Sequence, residues 1–215
     1  MGGLDAFRPI DSRVRAEKLY GVLKPYLRDG LSYLDIGCGY GILAPHVKRD
    51  FPTSTYLGFD ADAGAVSFCK TRYPWARWER GAIIPAVHYS RLWLLQDGRA
   101  ILYQDLNGEQ MPVASELAGR KYNVILHLAN DAWWANDLWK IHIWLTRRVL
   151  EKPTLVLLES GWRENYDGPV VTMREIRGRY LGVGLKVLAE GDFEFKCPNY
   201  NKNKRFYCLL GKDVG

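Results

Sequence analysis

The chain has 215 residues, with 30 basic and 24 acidic side chains and a formal charge of +6. Its 47% hydrophobic and 25% charged residues lie near globular averages, which excludes disordered and fibrous classes. A chain of this length suits a single domain, 1–215, that buries roughly 70% of its unfolded surface without a disulfide or metal staple.

Other absences narrow the class. No apolar run approaches the ~18 residues of a membrane span, and Met1 to Arg13 lacks the apolar stretch of a secretory signal. Ala6 stands where an N-myristoylation signal needs Ser or Thr. The cysteines at 38, 69, 197 and 208 form no C-x-x-C pair. The expectation is a cytoplasmic protein with reduced, buried thiols, no metal site and no membrane contact.

In chain order, residues 12 to 28 read as a helix capped by Ser12. Val14, Leu19, Val22, Leu23 and Leu27 lie near one face, Pro25 marks a late kink and Gly30 stops the segment. Leu31 to Ile36 is a short buried strand. A glycine-rich turn follows at Gly37 to Gly41, then a helix to about Arg49. Thr55 to Phe59 is a second strand, ended by Asp60. Asp62 caps a helix to about Arg72, with Ala65, Val66, Phe68 and Cys69 as its apolar side. Alternating strands and helices predict a parallel sheet covered by helices.

A third strand fits Ala76 to Arg80, with Ala100 to Gln104 as a competing register. Spacing from Asp60 favours the first. Leu92 to Gln96 and Ala100 to Gln104 flank Asp97-Gly98, a type I′ hairpin signal because both turn residues take positive φ. Asn107-Gly108 offers a further turn, so residues 83 to 120 read as a β-hairpin or small meander inserted into the α/β framework. Asn123 to Leu128 is then a strand, Asp131 to Leu150 a long helix, Thr154 to Glu159 a strand and Arg174 to Leu181 a helix. Leu185 to Phe195 and Arg205 to Leu210 close the chain as two strands joined by the loop Asn199 to Lys204.

The informative stretch is Tyr33-Leu34-Asp35-Ile36-Gly37-Cys38-Gly39-Tyr40-Gly41, where a strand ends and a helix opens. Glycines there let backbone approach a ligand closely. Asp60, ending the next strand, suits a ribose diol. The dinucleotide pattern G-x-G-x-x-G is not met, since Ile42 stands at the third glycine's position, and G-x-x-x-x-G-K-[ST] is absent. A carboxylate at Asp35, two residues before the first glycine, favours a cationic ligand over a pyrophosphate.

Asp35 to Gly41 resembles motif I of the class I S-adenosylmethionine-dependent methyltransferases, and Gly58-Phe59-Asp60 resembles their second motif. The resemblance covers residues ~30 to 82 by motif and ~120 to 160 by pattern. It implies a Rossmann-like seven-stranded sheet of order 3-2-1-4-5-7-6, with helices on both faces and strand 7 antiparallel. It further implies S-adenosylmethionine as cofactor and S-adenosylhomocysteine as product. The cofactor residues it implies are Asp35, Gly37, Cys38, Gly39, Tyr40, Gly41, Asp60, Ala61 and His127. Asp35 would serve the ammonium group through the loop or water, and Asp60 the ribose. After strand 3 the sequence departs from the family: the usual acid is missing and Gly81 and Ala82 stand there, leaving a backbone amide for adenine. In the competing register Asp105 would supply that acid.

Acceptor groups in this family follow strands 4 and 5. His127 is the candidate base, Asp131 an acceptor orienter or helix cap, and Glu159 a base or a polar strand end. Trp133, Trp134 and Trp162 are candidate walls of the acceptor pocket. The [DNS]-P-P-[YFW] signature of base N-methylation is absent, since Ala129-Asn130-Asp131-Ala132 stands in its place. A small-molecule acceptor, O- or N-methylated, is the expectation. RNA or protein methylation through basic stretches such as Lys202 to Arg205 is the alternative, and a catalytically silent cofactor-binding subunit a third. Oligomeric state stays open.

Overall fold

The computed structural model describes residues 9–60, 62–80, 91–94, 101–104, 110–113, 122–128, 150–161, 184–194 and 204–212. The helices expected at 131–149 and 174–181 and the loop at 199–203 lie outside the described residues. Among the described residues no helix is long and apolar enough to cross a membrane. The same residues contain no cluster of three or more candidate metal ligands.

Helix α1 spans Pro9–Leu23 and runs into a 3-10 turn at Lys24–Tyr26, where Pro25 ends the regular helix. Strand β1 (Ser32–Ile36) leads through the glycine turn into α2 (Ala44–Asp50), and β2 (Thr55–Asp60) into α3 (Ala63–Arg72). Asp62 caps α3 as its sequence position requires, its carboxylate accepting from the amides of Gly64 and Ala65. Strand β3 is Arg77–Arg80. Strands β4 (Arg91–Leu94), β5 (Ile101–Gln104) and β6 (Gln110–Val113) follow, then β7 (Tyr122–Leu128), β8 (Leu150–Gly161), β9 (Lys186–Glu194) and β10 (Lys204–Gly211).

Seven strands form one sheet in the order β3-β2-β1-β7-β8-β10-β9. Counted along this sheet alone the order is 3-2-1-4-5-7-6, as the motif resemblance implies. Strands β3, β2, β1, β7 and β8 pair in parallel, and β10 pairs antiparallel with both β8 and β9. The third strand is Arg77–Arg80, register-matched to β2 from Leu57↔Arg77 to Asp60↔Arg80. The competing segment, 100–104, instead supplies β5 of a separate antiparallel meander, β4-β5-β6. The pairings Leu94↔Ile101 and Gln104↔Gln110 flank the segments that hold the expected turns, whose residues Asp97-Gly98 and Asn107-Gly108 lie outside the described residues. Pro112 is accommodated because β6 is an edge strand and need not donate on both sides.

Four expectations change. Helix α1 begins at Pro9, so Ser12 lies within its first turns and does not cap it. Leu150 is the first residue of β8, not the end of a helix. Strand β8 starts early but irregularly: its register to β7 shifts between Tyr122 and Val124, alongside Pro153, which cannot donate to the ladder. Phe68 and Val14, expected on buried faces, are 44% and 46% exposed. In α1 the next residue, Arg15, is buried instead, because it has a carboxylate to meet.

The core lies between the sheet and α1, α2 and α3. It joins Leu19, Tyr20 and Leu23 of α1 with Leu43 and Val47 near α2, Val66 and Cys69 of α3, and Tyr33, Tyr56, Trp78, Leu126 and Leu157 of the sheet. Register places Trp78, Gly58, Asp35, Leu126 and Leu157 in one row on this face. The Trp78 indole, its Nε1 donating to the Tyr73 carbonyl at 3.0 Å, lies across Gly58. A Cβ at position 58 would overlap Trp78 Cζ3 and Cε3, and one at position 41 would stand 2.6 Å from Cη2. Gly58→Ala is therefore expected to destabilise the fold by about 1–3 kcal/mol, as overpacking does. In urea unfolding the cost should largely vanish when Trp78→Leu is already present. Additive effects of the two changes would contradict the packing account.

Candidate functional site

The carboxyl ends of β1 and β2 meet at the glycine turn. Gly37, Gly39 and Gly41 have φ of +64°, +50° and +62°, the left-handed region where a side chain is strained. At Gly39 a Cβ would meet nothing within 4 Å, so this position faces open space. The turn is tied down from below. The Cys38 amide donates to the Phe59 carbonyl at 2.8 Å, and the Gly41 amide to the Cys38 carbonyl at 2.8 Å. The Cys69 thiol, reaching over from α3, donates to the Gly39 carbonyl at 3.3 Å.

Asp60 is half-buried at the end of β2 and braces the turn directly. Its Oδ2 accepts from the Gly39 amide at 2.7 Å, and its Oδ1 from the Asp62 amide at 2.8 Å. A carboxylate oxygen has more than one lone pair, so these two amide bonds do not by themselves use up what Asp60 can accept.

Asp35 is 1% exposed beneath the same turn. Its Oδ2 accepts from the Tyr56 phenol at 2.6 Å, and its Oδ1 has no hydrogen-bond partner among the described residues. Burial pushes its pKa up to about 7. The Tyr56 hydrogen bond opposes this, the Asp60 charge adds to it, and Arg15 lowers it. With the folded value above the unfolded one, Asp35's contribution to stability is fully present in acid and is lost as pH rises through about 7. Tyr56 is held well above its ordinary value by burial and by the Asp35 charge, so the phenol stays the donor. The Cys38 thiol is likewise pushed up, first by Cys69 and then by burial, and stays protonated. Tyr40 leaves the turn half-buried and meets exposed Phe68 edge-on at 5.1 Å.

The other side chains lie apart from this cluster. Glu159, near the end of β8, is 2% exposed and forms a two-point ion pair with Arg15: Nε to Oε1 at 3.0 Å and Nη2 to Oε2 at 2.6 Å. Arg205 of β10 adds a contact at 3.5 Å. His127, 1% exposed, stands between Ile36 and Leu158 in the sheet. Register places Leu128 beside Glu159, so His127 points to the opposite face of the sheet from Glu159. Ala61, Gly81, Ala82, Asp131, Trp133, Trp134 and Trp162 lie outside the described residues.

Sequence reasoning did not single out Tyr56, Cys69, Trp78 or Arg15. Two were signalled indirectly: Tyr56 is two residues before Gly58, on the same strand face, and Trp78 follows Arg77 in the third strand. No local pattern pairs Arg15 with a residue 144 positions away.

These residues suit a cationic nucleoside ligand. The open left-handed turn admits close backbone approach, the orphaned Asp35 oxygen supplies buried negative charge, and Asp60 supplies a diol acceptor.

Comparison with known proteins agrees on this region. Residues 20–90 match the family model described as "Methyltransferase small domain". The chain is 28% identical over 171 residues to trans-aconitate 2-methyltransferase of Rhizobium meliloti, covering 80% of this chain and 59% of that protein. It is 36% identical over 45 residues to fatty-acid O-methyltransferase of Mycolicibacterium smegmatis, covering 21% of this chain and 16% of that protein. The chain thus spans less than two thirds of either relative. Its fold is that of a TehB-like SAM-dependent methyltransferase from Corynebacterium glutamicum (TM-score 0.56, 16% identity, 96% of this chain and 100% of that chain). It is also that of magnesium protoporphyrin IX methyltransferase from Synechocystis PCC 6803 with bound SAM (0.59, 13%, 95% and 81%). The [4+2]-cyclase SpnF has the same fold (0.61, 13%, 93% and 81%).

Removing one member of the buried ion pair tests how firmly α1 is held. Arg15→Met leaves Glu159 with Arg205 alone, and should cost toward the low end of about 3–5 kcal/mol in denaturant unfolding. A loss under about 0.5 kcal/mol, typical of an exposed pair, would contradict the burial described here.

Proposed function

We propose that this chain, a member of the class I S-adenosylmethionine-dependent methyltransferase family, binds S-adenosylmethionine over the Gly37 to Gly41 turn and methylates a small molecule. The observation that carries the reading is the left-handed, outward-open turn braced by Asp60, at the carboxyl edge of a 3-2-1-4-5-7-6 sheet. In open α/β sheets ligands bind at that edge, where the strand order reverses.

Bound there, S-adenosylmethionine supplies a sulfonium-bound methyl group for in-line transfer, leaving S-adenosylhomocysteine and a proton from the acceptor. The chain's own residues bind and orient. Gly37, Gly39 and Gly41 let backbone lie against the methionine portion, with Cys38 and Tyr40 between them. Asp60 accepts from the ribose hydroxyls, and Ala61 follows it. Asp35 contributes negative charge opposite the cofactor's cationic end. Gly81 and Ala82, next after β3 in the sequence, serve adenine through backbone amides in this reading.

On the acceptor side, His127 is assigned the proton, Asp131 the orientation of the acceptor, and Trp133, Trp134 and Trp162 the pocket walls. Glu159 is assigned a different task from the base the sequence suggested. Its carboxylate is engaged at two points by Arg15, which makes it an anchor for α1 at the sheet's carboxyl edge. Support for a small acceptor comes from the relatives, named for trans-aconitate and fatty acids. The +6 charge keeps RNA as the competing acceptor.

The test is transfer of labelled methyl from S-adenosylmethionine across panels of small carboxylic acids, small hydroxyl and amine metabolites, and RNA. Label in a small molecule supports the reading. Label only in RNA moves the acceptor class, and cofactor binding without transfer to any panel favours the silent subunit. Asp60→Ala should weaken cofactor binding by about 1.5–3 kcal/mol, through lost charged hydrogen bonds, as read by calorimetry. An unchanged dissociation constant would contradict the ribose assignment. His127→Ala should lower kcat by about 100-fold or more while leaving the cofactor Kd near wild type. Equal losses in both would make His127 a cofactor or structural residue.

A further inference from the structure

Asp35 is the buried ionisable group that neither the turn's backbone nor the core accounts for. It projects from β1 in the row Trp78, Gly58, Asp35, Leu126, so apolar side chains or glycine stand beside it on both sides. A carboxylate in such surroundings normally takes a hydrogen bond on each oxygen. Here one oxygen is satisfied by Tyr56 and the other has no partner among the described residues.

Tyr56 is itself locked. Its ring stacks on Tyr33 at 5.8 Å and meets Trp75 and Trp78 at 5.9 and 5.5 Å. The phenol therefore has little freedom to turn from Asp35. The titratable groups that face Asp35 are Tyr56 and Asp60 from β2, Arg15 from α1 and the Cys38 thiol from the turn. Arg15 is committed to Glu159, and Asp60 is of the same sign as Asp35. Tyr56 is thus the group that holds the ionised form of Asp35 by direct contact.

We infer that Tyr56 is a positioning residue for cofactor binding: its phenol holds Asp35 as a buried negative charge beneath the glycine turn, so that a cationic cofactor binds in step with the ionisation of Asp35. The inference rests on the reading of the turn as the S-adenosylmethionine site. Its physics is linkage. A cation seated on the turn favours the charged carboxylate, through Coulomb attraction that low dielectric strengthens. Where Asp35 is still protonated, binding must first expel that proton. The ordinary burial penalty, which pushes Asp35 up to about 7, brings this competition into the neutral range.

Calorimetric titration of the full chain with S-adenosylmethionine from pH 5.5 to 9, in buffers of differing ionisation enthalpy, tests it. The wild type should bind with proton release on the acid side, and its Kd should weaken about tenfold per pH unit below the Asp35 midpoint. Tyr56→Phe keeps the ring stack and removes the donor. It should move that midpoint up by about one unit, giving binding about tenfold weaker at a pH below both midpoints and near wild type at pH 9. Asp35→Asn should abolish the proton release, with thermal melting confirming that it folds. A pH-independent Kd in the wild type, or a Tyr56→Phe profile that matches wild type while only the melting temperature falls, overturns the inference and leaves the cofactor site standing. No binding of S-adenosylmethionine by the wild type at any pH overturns both.

Discussion

The Trp78 indole filling the space above Gly58 and beside Gly41 is the contact on which the site depends. It spans two strands and the end of the turn, and it is fixed at its own far end by a hydrogen bond to the Tyr73 carbonyl. Because neither glycine carries a Cβ, the indole settles directly on backbone, and the turn comes down close to β2. That closeness lets the Asp60 carboxylate reach the Gly39 amide at 2.7 Å and the Cys69 thiol reach the Gly39 carbonyl at 3.3 Å. A larger residue at 41 or 58 would lift the turn and break these contacts together. Gly39 differs: its surroundings are open, and only its φ demands glycine.

The buried charges divide into two kinds. Glu159 is compensated at two points by Arg15, and so fastens the N-terminal helix to the end of β8. Asp35 is compensated at one oxygen by a neutral donor. The first arrangement would be expensive to break, because removing one partner leaves a buried charge short of compensation. The second leaves one carboxylate oxygen without a hydrogen bond among the described residues, which is the feature the proposed cationic cofactor would answer.

Much of this was readable in the sequence, for identifiable reasons. Strands such as Tyr33 to Ile36 and Val124 to Leu128 are short apolar runs bounded by polar or glycine residues. The Asp-Gly pair at 97–98 lies in the sequence between the paired strands β4 and β5. Motif I and Asp60 announced the turn and its brace, since both depend on residues close in sequence to a strand end. What depends on distant partners was not readable. Arg15 was not singled out because its partner is 144 residues away. Phe68 counted as core by periodicity alone, yet it is 44% exposed, sitting beside Tyr40 at the edge of the turn. Leu150 was expected to end a helix, but its backbone pairs with Tyr122 and begins β8. Tyr56 drew no notice, because an aromatic in a strand is ordinary until the carboxylate beside it is placed.

The fold sets the Gly37 to Gly41 turn and Asp60 at one edge of the sheet with the buried acid Asp35 beneath them, an arrangement that suits the cationic nucleoside of the proposal. Amide hydrogen exchange with and without S-adenosylmethionine tests that claim most directly. The account predicts slowed exchange in peptides covering Gly37 to Gly41 and the Asp60 to Asp62 segment, with the β9–β10 pair little changed. Saturating cofactor that leaves the turn's exchange unaltered, or protects a different region instead, would contradict it.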